Sequence, residues 1–239
     1  MAYTPSDEIL QKYADVMVNF ALGKGKGIKK GDVVRLSSSE SARPLFIAIH
    51  NAIIDAGGHV ISHYGPDEEK GDRRRNMNYT RYFYEHASEE QLKFFPAKYL
   101  KGVVDEMDHS LFILAEKDPH AMDGVDPKRI MARGKVMKQF MDWRHEKEWQ
   151  NKLTWSICMY GTPAMAKEAG LSEKAYWDQI IKACFLDMKD PIAQWKKVYK
   201  EIEMYKLRLN KLSPLIDKLH VKGADAASVS SYEPSPMWS

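Results

Sequence analysis

The sequence predicts an α/β fold: a parallel-sheet N-terminal domain with flanking helices, followed by a long connecting helix and a short further segment. Three observations carry this. A short apolar strand, an apolar helix and a second strand follow one another over residues 31–64, which is one β-α-β unit and implies a parallel sheet. Two later apolar runs, SLFILA (110–115) and LTWSICM (153–159), have the length and composition of buried strands. Between and after them the apolar period is that of helices. At 239 residues, and with roughly 150 residues per domain, the chain holds one sizeable core and the beginning of a second.

Taken in order, residues 6–22 read as an amphipathic helix. Ile9, Tyr13, Val16, Met17 and Phe20 share its apolar face, with Ser6 or Asp7 as cap. Gly23, Gly25 and Gly27 end it. A Gly31-Asp32 turn leads into a strand from Val33 to Leu36. Residues 41–56 form the second helix, closed by Gly57 and Gly58, and His59 to Tyr64 the next strand. The charged run GPDEEKGDRRR reads as a loop, and helical pieces occupy 81–107. A helix resumes over 127–141 with Pro127 near its start. After the 153–159 strand come a short helix at 163–169 and another from Ser172 to about Phe185. The clearest helix begins at Asp190-Pro191, where Ile192, Trp195, Val198, Ile202, Tyr205, Leu209 and Leu212 recur at spacings of three and four. Pro214 and the following LIDKLHVKG suggest a second short helix or turn and then a new strand, and the last fifteen residues, without periodicity, read as a disordered tail.

Composition excludes several classes. Hydrophobic residues are 44% and charged residues 29%, as in a globular protein. Cys158 and Cys184 are too few for a disulfide scaffold and lack metal-ligand spacing, so they read as buried thiols. No run approaches the roughly 18 apolar residues of a membrane span. The N-terminus is not a signal peptide, so a reducing cytoplasm is the expected compartment. A net charge of +3 is too small to imply nucleic acid.

Local motifs offer little chemistry. Gly23, Gly25 and Gly27 follow a helix and precede a strand, the reverse of a dinucleotide fingerprint, and read as a flexible turn. Ser37 to Ser41, at a helix start, are placed either to bind a small anion through backbone amides or to cap the helix, and capping is preferred. His59 and His63 share one side of a strand about 13 Å apart, too far to share a metal whose ligands sit at about 2 Å. His50 reads as a hydrogen-bonded core or edge histidine. His109 precedes a strand. His120, with Asp118 and Asp123, reads as a solvated loop with a weaker cation-binding alternative. Arg73, Arg74 and Arg75 stand near Tyr79, Tyr82, Phe83 and Tyr84. Asp67, Glu68, Glu69 and Asp72 offset their charge, which argues against a nucleic-acid surface. The aromatic stretches 79–95 and 143–155 would instead suit a partner domain or subunit.

The runs ALGKGKGIKKGDVV, AIIDAGGHVIS, FFPAKYLKG, DHSLFILAE, LTWSICMYGTPAMAKEAGLS and ACFLDMKDPIAQWK, in this order, closely resemble the N-terminal region of the dimetal aminopeptidases of the aminopeptidase T / aminopeptidase S type. The resemblance covers residues 1 to about 225 and includes Trp155, Pro163, Asp187, Pro191 and Trp195. It implies an α/β N-terminal domain over 1–188, a long linking helix over 189–213, and over 214–239 the truncated start of a catalytic domain with a tail. It also implies a homodimer whose N-terminal domains help enclose the cavity, with peptides as substrates and neither nucleic acid nor membrane as partner. The two divalent ions of that family, zinc or cobalt, are held by glutamate, histidine, tyrosine and aspartate of its C-terminal domain. Neither His220, Asp225 nor Glu233 matches such a ligand, so no catalytic, cofactor-binding or metal residue is assigned. The expectation is an aminopeptidase by family and, in this chain, a catalytically incompetent N-terminal fragment from a truncated or frameshifted gene. The alternative is a standalone dimerisation or regulatory domain that associates with a full-length relative, and a ligand-binding α/β module is a third reading.

Overall fold

The computed structural model describes residues 3–68, 78–213, 218–220 and 228–230. They fall in two compact units that divide between Ile192 and Ala193. In the first, four parallel strands stand in the order β2-β1-β3-β4: β1 (Val33–Ser39), β2 (His59–Gly65), β3 (His109–Leu114) and β4 (Thr154–Met159). The fold class is therefore the α/β parallel sheet with flanking helices that the β-α-β unit implied.

Helix α1 (Asp7–Val16) starts where the Ser6 hydroxyl accepts the Ile9 N–H, and its buried residues Leu10, Tyr13, Ala14 and Val16 lie on one stripe. It continues as a π-helical turn, Met17–Ala21, in which one extra residue per turn lets Met17, Val18 and Phe20 all be buried. The glycine segment after it is tightly held rather than flexible. Gly23, Lys24, Gly25 and Gly27 all have positive φ. The Gly27 N–H donates to the Leu22 carbonyl, and the Ile28 N–H to Val18, both at 3.0 Å.

Strand β1 runs three residues past the expected Leu36. Pairing with β2 on one side and β3 on the other holds Ser37, Ser38 and Ser39 extended, against their turn preference. Helix α2 (Arg43–Asp55) packs on β1, β2 and α1. With Leu45, Ile49, Ile53, Val34, Leu36, Leu111 and Ile113 at or below 1% exposure, this side of the sheet is the main core. Between β2 and β3 the chain forms α3 (Tyr79–His86), α4 (Glu89–Lys93) and α5 (Ala97–Glu106). Helix α6 (Pro127–Trp149) is eight residues longer than the 127–141 expected. Its last eight residues, DWRHEKEW, lack an apolar stripe to announce them. It is held by a separate cluster in which Phe140 of α6 meets Val104 and Met107 of the α5 end and Leu153, bordered by Phe95 and Trp143. Helices α7 (Pro163–Glu168) and α8 (Glu173–Ala183) complete this unit, each capped by a hydroxyl, Thr162 and Ser172.

The strand starts are tied together by polar contacts. His109 is buried with Nε2 2.9 Å from Asp32 Oδ2 and Nδ1 2.7 Å from Thr154 Oγ1. The Gly23 N–H donates to that same threonine oxygen at 3.0 Å. Burial raises the Asp32 pKa, but hydrogen bonds from His109 and the Lys29 amide, with their nearby charge, outweigh it and hold the carboxyl below its usual value.

Helix α9 (Pro191–Leu212) spans the division between the two units. Along its apolar stripe Ile202, Tyr205, Leu209 and Leu212 are exposed. A three-residue antiparallel pair follows, β5 (Lys218–His220) with β6 (Ser228–Ser230). The reading of the last fifteen residues as a structureless tail is corrected at Ser228–Ser230, since strands this short leave no periodic trace. Asp225, Glu233 and the rest of that segment lie outside the described residues, as do Arg73, Arg74 and Arg75. Among the described residues no helix is long and apolar enough to cross a membrane.

Candidate functional site

After β1 the chain turns to β2 on one side, whereas β3 and β4 lie on the other. The carboxyl ends of β1 and β3 therefore flank the switch point of the sheet, where open α/β sheets form a crevice. A cavity of about 340 Å³ opens there. Ser37 and Ser39 of β1, His63 of β2, Phe112 of β3, and Glu116 and Lys117 beyond β3 line it. Ser39 Oγ donates to the Ala115 carbonyl at 3.0 Å, fixing one wall. The Thr162 hydroxyl donates to the Glu116 carbonyl and fixes the other. Ser37 is 4% exposed and its Oγ has no hydrogen-bond partner. Partial burial and the charge of Arg35 push the His63 pKa down, which favours neutral imidazole. The crevice can hydrogen-bond a polar guest. Among the described residues Ser37 Oγ has no base within hydrogen-bond reach, so no nucleophile–base pair is formed there.

The preferred capping role of Ser37 to Ser41 is corrected, since α2 follows Ala42 with no side-chain cap and Ser39 caps nothing with its hydroxyl. The anion reading is corrected by a residue from elsewhere in the chain. The Ser41 N–H and Oγ both donate to the Asp67 carboxylate at 2.8 Å. The amide that would greet an anion is thus already occupied by the protein's own carboxylate. Asp67 in turn lies 3.9 Å from Lys117 Nζ.

The other histidines do not converge. His59 and His63 lie four residues apart along β2. His50 has Nδ1 3.5 Å from Asn51 Oδ1. His120 sits between two carboxylates, with Nδ1 2.9 Å from Asp123 Oδ2 and Nε2 3.3 Å from Glu168 Oε1, while Asp118 Oδ1 accepts its backbone N–H. Hydrogen bonds to Asp123 and Glu168, then their charge, raise its pKa. With both ring nitrogens engaged by carboxylates, His120 has its protonated form favoured and no ring nitrogen turned to a metal. A folded-state pKa above the unfolded value favours the folded state at low pH, an effect lost as pH rises through the folded pKa. In an NMR titration the His120 midpoint should lie above about 6.5, and D123N with E168Q should lower it. An unchanged midpoint in the double variant would refute the assignment.

Cys158 and Cys184 do not read as nucleophiles. Burial pushes both thiols up, away from the reactive thiolate. Sequence reasoning missed the Asp32–His109–Thr154 tie and the role of Asp67. Neither pairing has a local signal, since the partners are 26 to 77 residues apart. Among the described residues no group of three His, Cys, Asp or Glu side chains could hold a metal ion.

The family described as thermophilic metalloprotease (M29) matches over residues 6–229. Aminopeptidase PepS of Streptococcus thermophilus is 27% identical over 201 residues, covering 80% of this chain and 45% of that protein. Aminopeptidase 2 of Geobacillus stearothermophilus is 24% identical over 196 residues, 79% of this chain and 44% of its own. The structure of wild-type AmpT from Thermus thermophilus shares the fold with a TM-score of 0.70 at 21% identity. That superposition covers 93% of this chain and 53% of AmpT. The chain thus spans about half the length of the relatives it matches.

Proposed function

The chain belongs to the thermophilic metalloprotease (M29) family, and from that premise we propose that it supplies the N-terminal α/β scaffold of a metal-dependent aminopeptidase acting on peptides. The match over 6–229 carries this reading. Hydrolysis by two metal ions needs carboxylates and imidazoles that hold the ions about 3.5–4 Å apart around an activated water. The described residues do not fit that requirement: His120 has spent both nitrogens on carboxylates, and no other trio converges. No catalytic step is therefore assigned to them. On this reading their part is to build the sheet and the wall of a cavity.

The purified chain, supplied with zinc or cobalt, should show no hydrolysis of Leu-p-nitroanilide above the protein-free rate and no stoichiometric metal in elemental analysis. Two bound ions per chain together with turnover would overturn this reading. The exposed side chains Ile202, Tyr205 and Leu209 of α9 favour a second reading, a dimerisation or regulatory domain. Sedimentation of a monomer at micromolar concentration, alone and with a full-length relative, would remove it. A cytoplasmic setting fits both readings.

A further inference from the structure

One face of the sheet carries a charge pattern that the fold alone does not explain. Arg35, Ser110 and Trp155 are register partners across β1, β3 and β4, and the next row on the same face is Ser37, Phe112 and Ile157. Parallel sheets are ordinarily covered on both faces. Here Phe112, Trp155 and Ile157 are 42%, 51% and 55% exposed. The second half of α6 runs alongside and closes a cavity of about 360 Å³ between Met141, Arg144 and the strands, a volume within the range of small-molecule sites.

Two guanidinium groups meet in this cavity, whose lining includes one carboxylate, Glu148. Arg35 and Arg144 are both partly buried; desolvation, and for Arg35 the neighbouring charge of Arg144, works against their ionised forms, and the charge of Glu148 offsets this only in part at Arg144. Among the described residues neither has a carboxylate within ion-pair distance, and the buried Arg144 Nε has no hydrogen-bond partner. Its guanidinium lies 5.9 Å from the Phe140 ring centre. The nearby acid, Glu148, instead accepts the Trp155 Nε1–H at 2.8 Å. Glu148 thereby fixes the indole rather than pairing with an arginine. Like charges held together out of water are unfavourable unless something answers them, and a guanidinium fork matches a planar carboxylate with two parallel hydrogen bonds.

We propose that Arg35 and Arg144 bind the carboxylate of a small organic acid whose aromatic or branched aliphatic body lies on Phe112, Trp155 and Ile157. The arginines supply affinity and orientation, and the exposed apolar row supplies the surface that selects a hydrophobic acid over a bare anion. The assignment is independent of the aminopeptidase reading and can fail without it.

The test needs no variant to begin. Calorimetry on the full chain would compare N-acetylphenylalanine, its uncharged amide and inorganic phosphate. The acid should bind at least tenfold tighter than the amide, and phosphate more weakly than the acid. Tryptophan fluorescence should change with the acid, and the change should vanish in Trp155→Phe. Arg35→Gln and Arg144→Gln should each weaken the acid at least tenfold. Without ligand, both should leave the melting temperature unchanged or raise it, because the repulsion is relieved. Equal binding of acid and amide, or phosphate binding as tight as the acid, would overturn the proposal. So would a marked drop in melting temperature in both variants, which would make the arginines supports of the fold.

Discussion

Replacing Gly23 by alanine should cost about 2–4 kcal/mol of folding stability, the positive-φ penalty added to that of overpacking. Gly23 has φ +64°, and a Cβ there would stand 2.1 Å from the Gly27 carbonyl oxygen. That atom is backbone, fixed by the turn that closes the π-helical end of α1, so it cannot swing away as a side chain would. The Gly23 N–H also reaches Thr154 Oγ1, so displacement would disturb the start of β4. With native stabilities of roughly 5–15 kcal/mol, the variant should unfold at clearly lower denaturant. Gly124→Ala is the control: its φ is +82°, yet a Cβ there meets nothing within 4 Å. It should lose only about 1 kcal/mol, the backbone part alone. Equal midpoints for the two variants in guanidinium unfolding would show that the close approach at Gly23 is not restrictive.

Trp177→Ala should be at least as damaging, about 3–5 kcal/mol, as for large aromatic side chains deleted from a core. The indole is 1% exposed. Its Nε1–H donates to the Gly161 carbonyl at 3.1 Å, and the Tyr160 ring meets it edge-on with centroids 5.0 Å apart. It pins α8 to the segment that leaves β4. Because Thr162, one residue on, fixes Glu116 through its hydroxyl, the crevice wall rests on this tryptophan. Trp177→Phe keeps most of the volume but loses the donor, and should cost about 1–3 kcal/mol. Should thermal unfolding rank Phe and Ala alike, the hydrogen bond rather than the volume would be the main term.

The same residues show what a single sequence reveals. The β1-α2-β2 unit was legible because its apolar runs are local and bounded by Gly31 and Gly57. The ends of elements were less so. Ser37 to Ser39 became strand because β2 and β3 pair with them, and DWRHEKEW became helix because α5 supplies its packing. At the crevice the serines were visible, but not that Asp67 would fill their amide. The basic and apolar residues of the open sheet face were all present in the sequence. Arg35 and Arg144 become neighbours only once β1 is central and α6 lies along that face, and no local spacing encodes it. The family resemblance was legible because it rests on long ordered runs rather than on any chemical motif.

The strand order also constrains how the chain is made. β1 is central, yet one of its two neighbours, β3, begins 75 residues later, with Val34 opposite His109. At about 5–20 residues per second, a ribosome takes roughly 4–15 s to deliver that partner. Until β3 arrives, the edge of β1 that it will cover has no partner strand, and an unpaired edge is a template for pairing with other chains. Whatever the finished protein does, its yield in the cell depends on how that edge is shielded while synthesis proceeds.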